Sequence, residues 1–263
     1  MADTAAHLVD RVLPEVRTRQ WVLTLPYTLR FLMAYDSKLI AAIHNILTQA
    51  VFASLRRRAG FSSLGRLAKG GAVTFVQRFG DGLNLNVHFH TLALDGVYAE
   101  DDAGFLRFYN VGSPSDAEVM RVARHISRRV EKLILRQGLM SGASDTEQNS
   151  QPFLMELYGA AVSGRVLSGP RAGQKAARMG DLENDHRQET PSPRCVNVNG
   201  VGLHANTVIP AHDRMRLERM CRYMCRPPIA IERLKLLSDG RLRYQLKKKW
   251  RDGTSHINST VNY

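Results

Sequence analysis

The chain is poor in cysteine: Cys195, Cys221 and Cys225 are all it has in 263 residues. Three thiols make no disulfide framework, which fits a reducing cytosol. Cys221 and Cys225 stand four residues apart on an expected helix, and with no second pair they read as packing residues rather than half of a zinc site. Long hydrophobic runs are missing too. No stretch approaches the roughly 18 apolar residues of a membrane span, so no membrane partner is expected. The opening MADTAAHLVDRVLPEV has no basic segment followed by an apolar one and does not read as a secretory signal. Acidic residues are scarce: 24 Asp and Glu face 37 Lys and Arg, leaving a net charge of +13. That excess points to a polyanion, most often nucleic acid, because basic side chains displace the counterions condensed on it.

What is present is a succession of strand and helix patterns without any internal repeat. RQWVLTLP (19–26) alternates Trp21, Leu23 and Leu25 and stops at Pro26, as a short strand does. Residues 36–58 predict a helix capped by Asp36, with an apolar stripe from Leu39 to Val51 and three arginines at its C-terminal end. AVTFVQRF (72–79) and LNLNVHFHTLAL (83–94) predict antiparallel strands about a Gly80-Asp81-Gly82 turn, and Asp95-Gly96 is a further turn signal. The clearest helix covers 113–138, with Ser113 as cap, Pro114 in the first position, Asp116 completing a variant capping box and Gly138 as its end. Periodicity fades over 139–198, and the Ser-, Gly- and Pro-rich stretch at about 163–195 predicts a flexible insertion. Strand character returns at 200–209, an amphipathic helix follows over 212–226, and 232–247 predicts a hairpin about Asp239-Gly240. Strands and helices interspersed over one sheet define the α+β class, with a central antiparallel sheet carrying the two histidines and helices flanking it.

Those histidines, His88 and His90, sit one residue apart. On a strand, alternate residues share a face about 6.5 Å apart, by the rise of ~3.3 Å per residue. Two imidazoles can then converge on one ion while Phe89 turns to the core, and neutral imidazole suits Mn or Zn and tolerates Mg. An incidental polar strand face explains an isolated pair equally well, and Asn84 and Asn86 continue that face. A cupin-like sheet with Asp95 as the carboxylate would need a third histidine in a second glycine-rich strand, which the sequence does not offer.

A second unusual stretch is RMRLERMCRYMCR. On a helix, Tyr223 would have Arg216, Arg219 and Arg226 on about one face, with Met215, Met220, Cys221 and Met224 available for packing. Phenols are poor nucleophiles at neutral pH, but guanidinium groups favour the anion and bind phosphate bidentately. A solvated surface helix is the plain alternative. A paired-histidine strand, an arginine-flanked tyrosine and strong basicity together suit tyrosine attack on a DNA phosphodiester.

LNLNVHFHTLALDGVY resembles the His-hydrophobic-His (HUH) motif of the rolling-circle transposases of two-tyrosine type and of the related ISCR element transposases. LERMCRYMCRPPIAIERLKLLSDGRLRYQLKKKWRDGTSH resembles their tyrosine-motif region, and MADTAAHLVDRVLPEVRTRQWVLTLPY and GGAVTFVQRFG are similar to further segments. The resemblance extends from residue 1 to about 256, taken as one transposase/nuclease domain, with 257–263 as a divergent tail. It implies a bacterial, cytoplasmic, nucleoid-associated enzyme that nicks and joins single-stranded DNA at element ends. A divalent Mg or Mn ion would be held by His88 and His90, Tyr223 would form a 5′-phosphotyrosine link, and Arg216, Arg219, Arg222 and Arg226 would contact DNA. Two-tyrosine members carry a second tyrosine where this chain has Arg219, which aligns it with the single-tyrosine group. Their N-terminal zinc-binding region has no counterpart here, and the divergent tail implies a C-terminal truncation. A third metal ligand is sought in Gln77 or His204, although a simple hairpin register sets Gln77 opposite Leu85. The competing functions are a replication initiator or relaxase with the same site, and a DNA-binding remnant without catalysis.

Overall fold

In the computed structural model, residues 2–61, 68–79, 85–137, 192–226, 231–246 and 253–259 are described. The expected flexible insertion lies outside them, save its last residues. The chain opens with α1 (Ala2–His7), which runs on through a π turn at Leu8–Val12. β1 (Thr18–Thr24) follows, buried along most of its length. Pro26 ends that strand, and its φ of −54° starts α2 (Tyr27–Tyr35). The Asp36 side chain accepts from the amides of Lys38 and Leu39 and caps α3 (Ser37–Arg58), as its sequence predicts. α3 is the one helix among the described residues long and apolar enough to cross a membrane, and 50% of that stretch is buried within the fold.

β2 (Ala72–Phe79) and β3 (Leu85–Leu94) pair antiparallel, and β4 (Gly96–Glu100) pairs with β5 (Leu106–Asn110). α4 (Asp116–Arg136) is capped by Ser115, whose hydroxyl accepts from the Glu118 amide, so the cap falls two residues later than Ser113. β6 (Cys195–Val198) and β7 (Val201–His204) form a hairpin, and β8 (Val208–Ile209) returns to β1. α5 (Arg214–Met224), a short hairpin of β9 (Leu234–Leu236) and β10 (Leu242–Gln245), and β11 (His256–Ser259) complete the described elements. β11 pairs with β10, so residues 256–259 belong to a three-stranded sheet.

The main sheet runs in the order β2-β3-β1-β7-β6, with β8 also on β1. This mixture of antiparallel sheet and helices is the α+β architecture, with the histidine strand second from one edge. One face packs Trp21, Leu23, Phe89 and Val87 against α3 and α4. The other packs Leu92, Leu94 and Phe75 against Val9, Leu13, Leu217, Cys221 and Met224 of the N-terminal turns and α5. At the sheet margin Arg19, 1% exposed, pairs with the fully buried Asp95 at 2.8 Å. The same guanidinium donates to the Ala205 carbonyl and the Ser113 hydroxyl, each at 2.7 Å. Asp95 is therefore a structural counter-ion for Arg19 and not a cupin-like ligand.

Candidate functional site

Antiparallel register assigns each side chain its face. His90 lies opposite Val22 of β1 and Phe75 of β2, and His88 lies opposite Gln77. His88 and His90 thus share the face on which α5 packs, while Phe89 points into the α3/α4 core. The imidazole centroids are 4.9 Å apart, with ring planes at 64°. Burial pushes His88 below its ordinary range, and the Arg30 charge adds to that against an opposing hydrogen bond to the Asn86 carbonyl. Burial, reinforced by His88, pushes His90 down to about 4. Both rings are neutral near pH 7, as ligands must be.

Each ring is held by its Nδ1. His88 Nδ1 lies 2.6 Å from the Asn86 carbonyl, an acceptor only, so the proton sits there and Nε2 keeps its lone pair. Asn86 in turn accepts from Arg30 at 2.7 Å. His90 Nδ1 lies 2.8 Å from the Gln20 amide. The Gln20 amide nitrogen faces the ring and donates to Nδ1, which puts the ring proton on Nε2; turning that amide so that its oxygen accepts from Nδ1 would free Nε2 for a ligand bond.

α5 brings the tyrosine to this face. Asp213 accepts from the Arg216 amide and caps the helix. The Arg214 guanidinium donates to the carbonyls of Val9, Leu13 and Pro14, tying α5 to the N-terminal turns. Leu217, Cys221 and Met224 form the buried stripe, whereas Met215, expected in the packing set, is 71% exposed. Burial pushes the Cys221 thiol up to about 11, in keeping with a packing role. Tyr223 is 52% exposed and turns its ring toward the helix edge that carries arginine.

A cavity of about 380 Å³ is lined by Gln20, His90, Arg216, Arg219, Met220 and Tyr223. The predicted arginines divide around it. Arg216 and Arg219 line it, Arg226 sets its guanidinium carbon 5.9 Å from the Tyr223 ring centre, and Arg222 pairs with Glu218 instead. A turn of 100° per residue explains that split, since Arg222 is the one displaced furthest round the helix from Tyr223. A larger cavity of about 620 Å³ opens on the opposite face, between α3 and β2, and contains none of these side chains.

The register corrects the expectation for Gln77. A simple hairpin would set it against Leu85, but an irregularity between Gln77 and Phe79 and a longer connection set it directly against His88. Its amide nitrogen lies 3.5 Å from the Met224 carbonyl, the distance of a long donor contact. His204 shares the face but lies across β1, opposite Val22, two strand spacings from His90 and so roughly 10 Å away. Sequence reasoning missed Gln20, and it named Met220 for packing, a role that side chain fills while also lining the cavity. A glutamine on the face of β1 away from Trp21 and Leu23 was the available signal for Gln20, but strand order was needed to set it beside His90.

A family model described as "Putative transposase" matches residues 71–262, a span that holds both the histidine strand and the tyrosine helix. The molecule is thus of the class that moves DNA segments, and the chain belongs to this transposase family. The match runs past residue 256 into the stretch expected to diverge. No curated protein and no solved structure matches the chain.

Proposed function

We propose that the chain is a single-tyrosine HUH-type transposase that nicks and transfers single-stranded DNA in rolling-circle transposition. The observation that carries this reading is the cavity shared by Tyr223, Arg216, Arg219 and His90. Among the described residues no group of three His, Cys, Asp or Glu surrounds a metal position. The donor set is therefore two neutral imidazoles, with the Gln77 amide oxygen as the nearest neutral third candidate, and this nitrogen- and oxygen-rich set fits Mn and tolerates Mg. When bound by His88 and His90, such an ion would supply charge neutralisation and polarisation at the scissile phosphate.

The chain's own residues account for the remaining steps. Arg216 and Arg219 hold the phosphate by charge-assisted hydrogen bonds, and Arg226, its guanidinium carbon 5.9 Å from the Tyr223 ring centre, flanks the attacking phenol. The Tyr223 oxygen bonds to phosphorus as the bond to the 3′ oxygen breaks. The phenolic proton passes to solvent, and the departing 3′ oxygen takes up a proton as a free hydroxyl. A second 3′-hydroxyl attacking the 5′-phosphotyrosine reverses the sequence, joins the strands and restores the phenol, with no nucleotide cofactor.

The test is an SDS-stable adduct between the protein and labelled single-stranded DNA carrying the element end, formed with Mn or Mg. Adduct with the wild type and none with Tyr223→Phe is the expected result. The rival reading, a DNA-binding remnant, has the two-member His set in its favour. DNA binding without adduct from any element end would establish it.

A further inference from the structure

Away from the cavity, the outer side of α4 is densely basic. Between residues 121 and 136 that helix exposes Arg121, Arg124, Arg128, Arg129, Lys132 and Arg136. At 100° per residue the six fall within an arc of roughly 140°, with His125 among them. The exposed acid of this stretch, Glu131, lies outside that arc. The opposite stripe, Val122, Ala123, Ile126, Val130 and Ile134, is buried against the sheet and α3. The ridge is thus rigidly mounted on the face of the sheet opposite α5.

Its charge is largely unneutralised. Arg121 pairs with Glu118, and Arg129 donates to Gln49 at 2.5 Å. Arg124, Arg128, Lys132 and Arg136 have no ion-pair partner among the described residues. The local field registers on His125, which is shifted downward first by burial and then by Arg129, Arg128 and Arg57. The five cations without an acidic partner, spread along about 18 Å of helix at 1.5 Å per residue, repel one another unless a polyanion lies alongside. No Phe, Tyr or Trp stands on the ridge to stack an unpaired base, His125 being its one ring, in contrast to the Tyr223 cavity. A surface that offers chiefly charge, with Leu135 its exposed apolar side chain, suits a partner with its bases hidden and its phosphates outside. Double-stranded DNA, with one charge per ~1.7 Å of axis, is that partner.

We propose that the outer ridge of α4 is a second DNA-binding surface, holding the backbone of duplex DNA without regard to sequence on the side opposite the Tyr223 cavity. The inference stands on α4 alone and does not depend on the chemistry proposed for Tyr223. Duplex flanking the element or at its target would sit on one face while the single strand is processed on the other.

The test uses the full chain, a random-sequence duplex and a single strand, each titrated by fluorescence anisotropy over a salt series. The triple variant Arg124→Gln, Arg128→Gln, Lys132→Gln keeps every buried α4 side chain and replaces three unpartnered ones. Its duplex affinity is expected to fall about tenfold or more, and the slope of log K against log salt to shrink by about 2.7, at ~0.9 per phosphate contact. Single-strand binding and Tyr223 adduct formation should be unchanged. A control triple, Arg11→Gln, Lys38→Gln, Lys69→Gln, removes the same charge from scattered exposed positions and should leave duplex binding near wild type. Circular dichroism confirms that both variants fold. Equal losses in the two triples, an unchanged duplex affinity in the ridge variant, or wild-type binding to anionic vesicles in place of duplex would each overturn the proposal. Loss of the Tyr223 adduct with retained duplex binding would overturn only the proposed chemistry.

Discussion

Gln20 and Arg19 are neighbours on β1, and their side chains leave the strand on opposite faces toward two different tasks. Gln20 bonds His90 Nδ1 and, in the proposed function, sets which nitrogen remains free. Gln20→Leu should leave that nitrogen unpaired, loosen the ring and reduce Mn affinity about 10–100-fold, the usual effect of losing a partner of a ligand. Isothermal titration with Mn reads this directly, and an unchanged affinity would separate Gln20 from ion binding. Arg19 instead neutralises Asp95 inside the fold. Arg19→Met would leave the buried Asp95 carboxylate with the partly exposed Arg17, 3.1 Å away, as its remaining ion-pair partner and cost about 1–3 kcal/mol. Urea denaturation measures that loss, and adding Asp95→Leu should restore much of it, since the buried charge is then gone and Arg17, 31% exposed, can turn to solvent.

The elements differ in how openly the sequence announced them. α3 and α4 were legible from their apolar stripes, and β2 and β3 from alternation and turn residues, because each carries its own local signal. α2 was not, because nine residues give too few turns for a period and Pro26 reads equally as a strand stop. β6 was hidden in a stretch of fading periodicity, although Asn199-Gly200 is the two-residue turn that joins it to β7. Both residues have positive φ, +51° and +80°, the requirement of a type I′ turn. Asn199→Val should therefore destabilise the hairpin by about 1–2 kcal/mol, read as a lower urea midpoint, whereas Asn199→Gly should be tolerated. The candidate site was half legible. His88, His90 and Tyr223 stood out as residue types in unusual settings, but their sharing of one face depends on α5 packing on β3, and nothing local encodes that. The Gln77 register failed for the same reason, since the chain between β2 and β3 is longer than the Gly80-Asp81-Gly82 turn implies. Gly96→Ala tests another close approach. A Cβ there would stand 2.3 Å from the Tyr109 carbonyl, so the β4–β5 pairing should shift or break, with a loss of about 1–3 kcal/mol in the same assay.

At the scale of the whole molecule, His44, His88, His90 and His204 are all held below their ordinary range, chiefly by burial. An unfolded chain regains the ordinary imidazole value near 6.5, so it binds more protons than the folded chain below that pH. Stability contributed by these groups is intact above about pH 6.5 and declines as pH falls toward the folded values, about 4 for His90. Thermal unfolding should occur at a lower temperature at pH 5 than at pH 7.5, and His44→Phe or His204→Phe should flatten the dependence. A scan with equal midpoints at the two pH values would contradict the assignment.

The sheet has β1 at its centre, held by β3 on one side and by β7 on the other. A ribosome releases β1 early and β7 only some 180 residues later, roughly 10–40 s afterwards at about 5–20 residues per second. Until then the backbone of β1 has an open flank and α5 does not yet exist. A polypeptide interrupted anywhere before residue 204 thus never acquires the face that brings imidazole, guanidinium and phenol together. Whatever this transposase does to DNA at the Tyr223 cavity, a chain that stops short of α5 cannot do it.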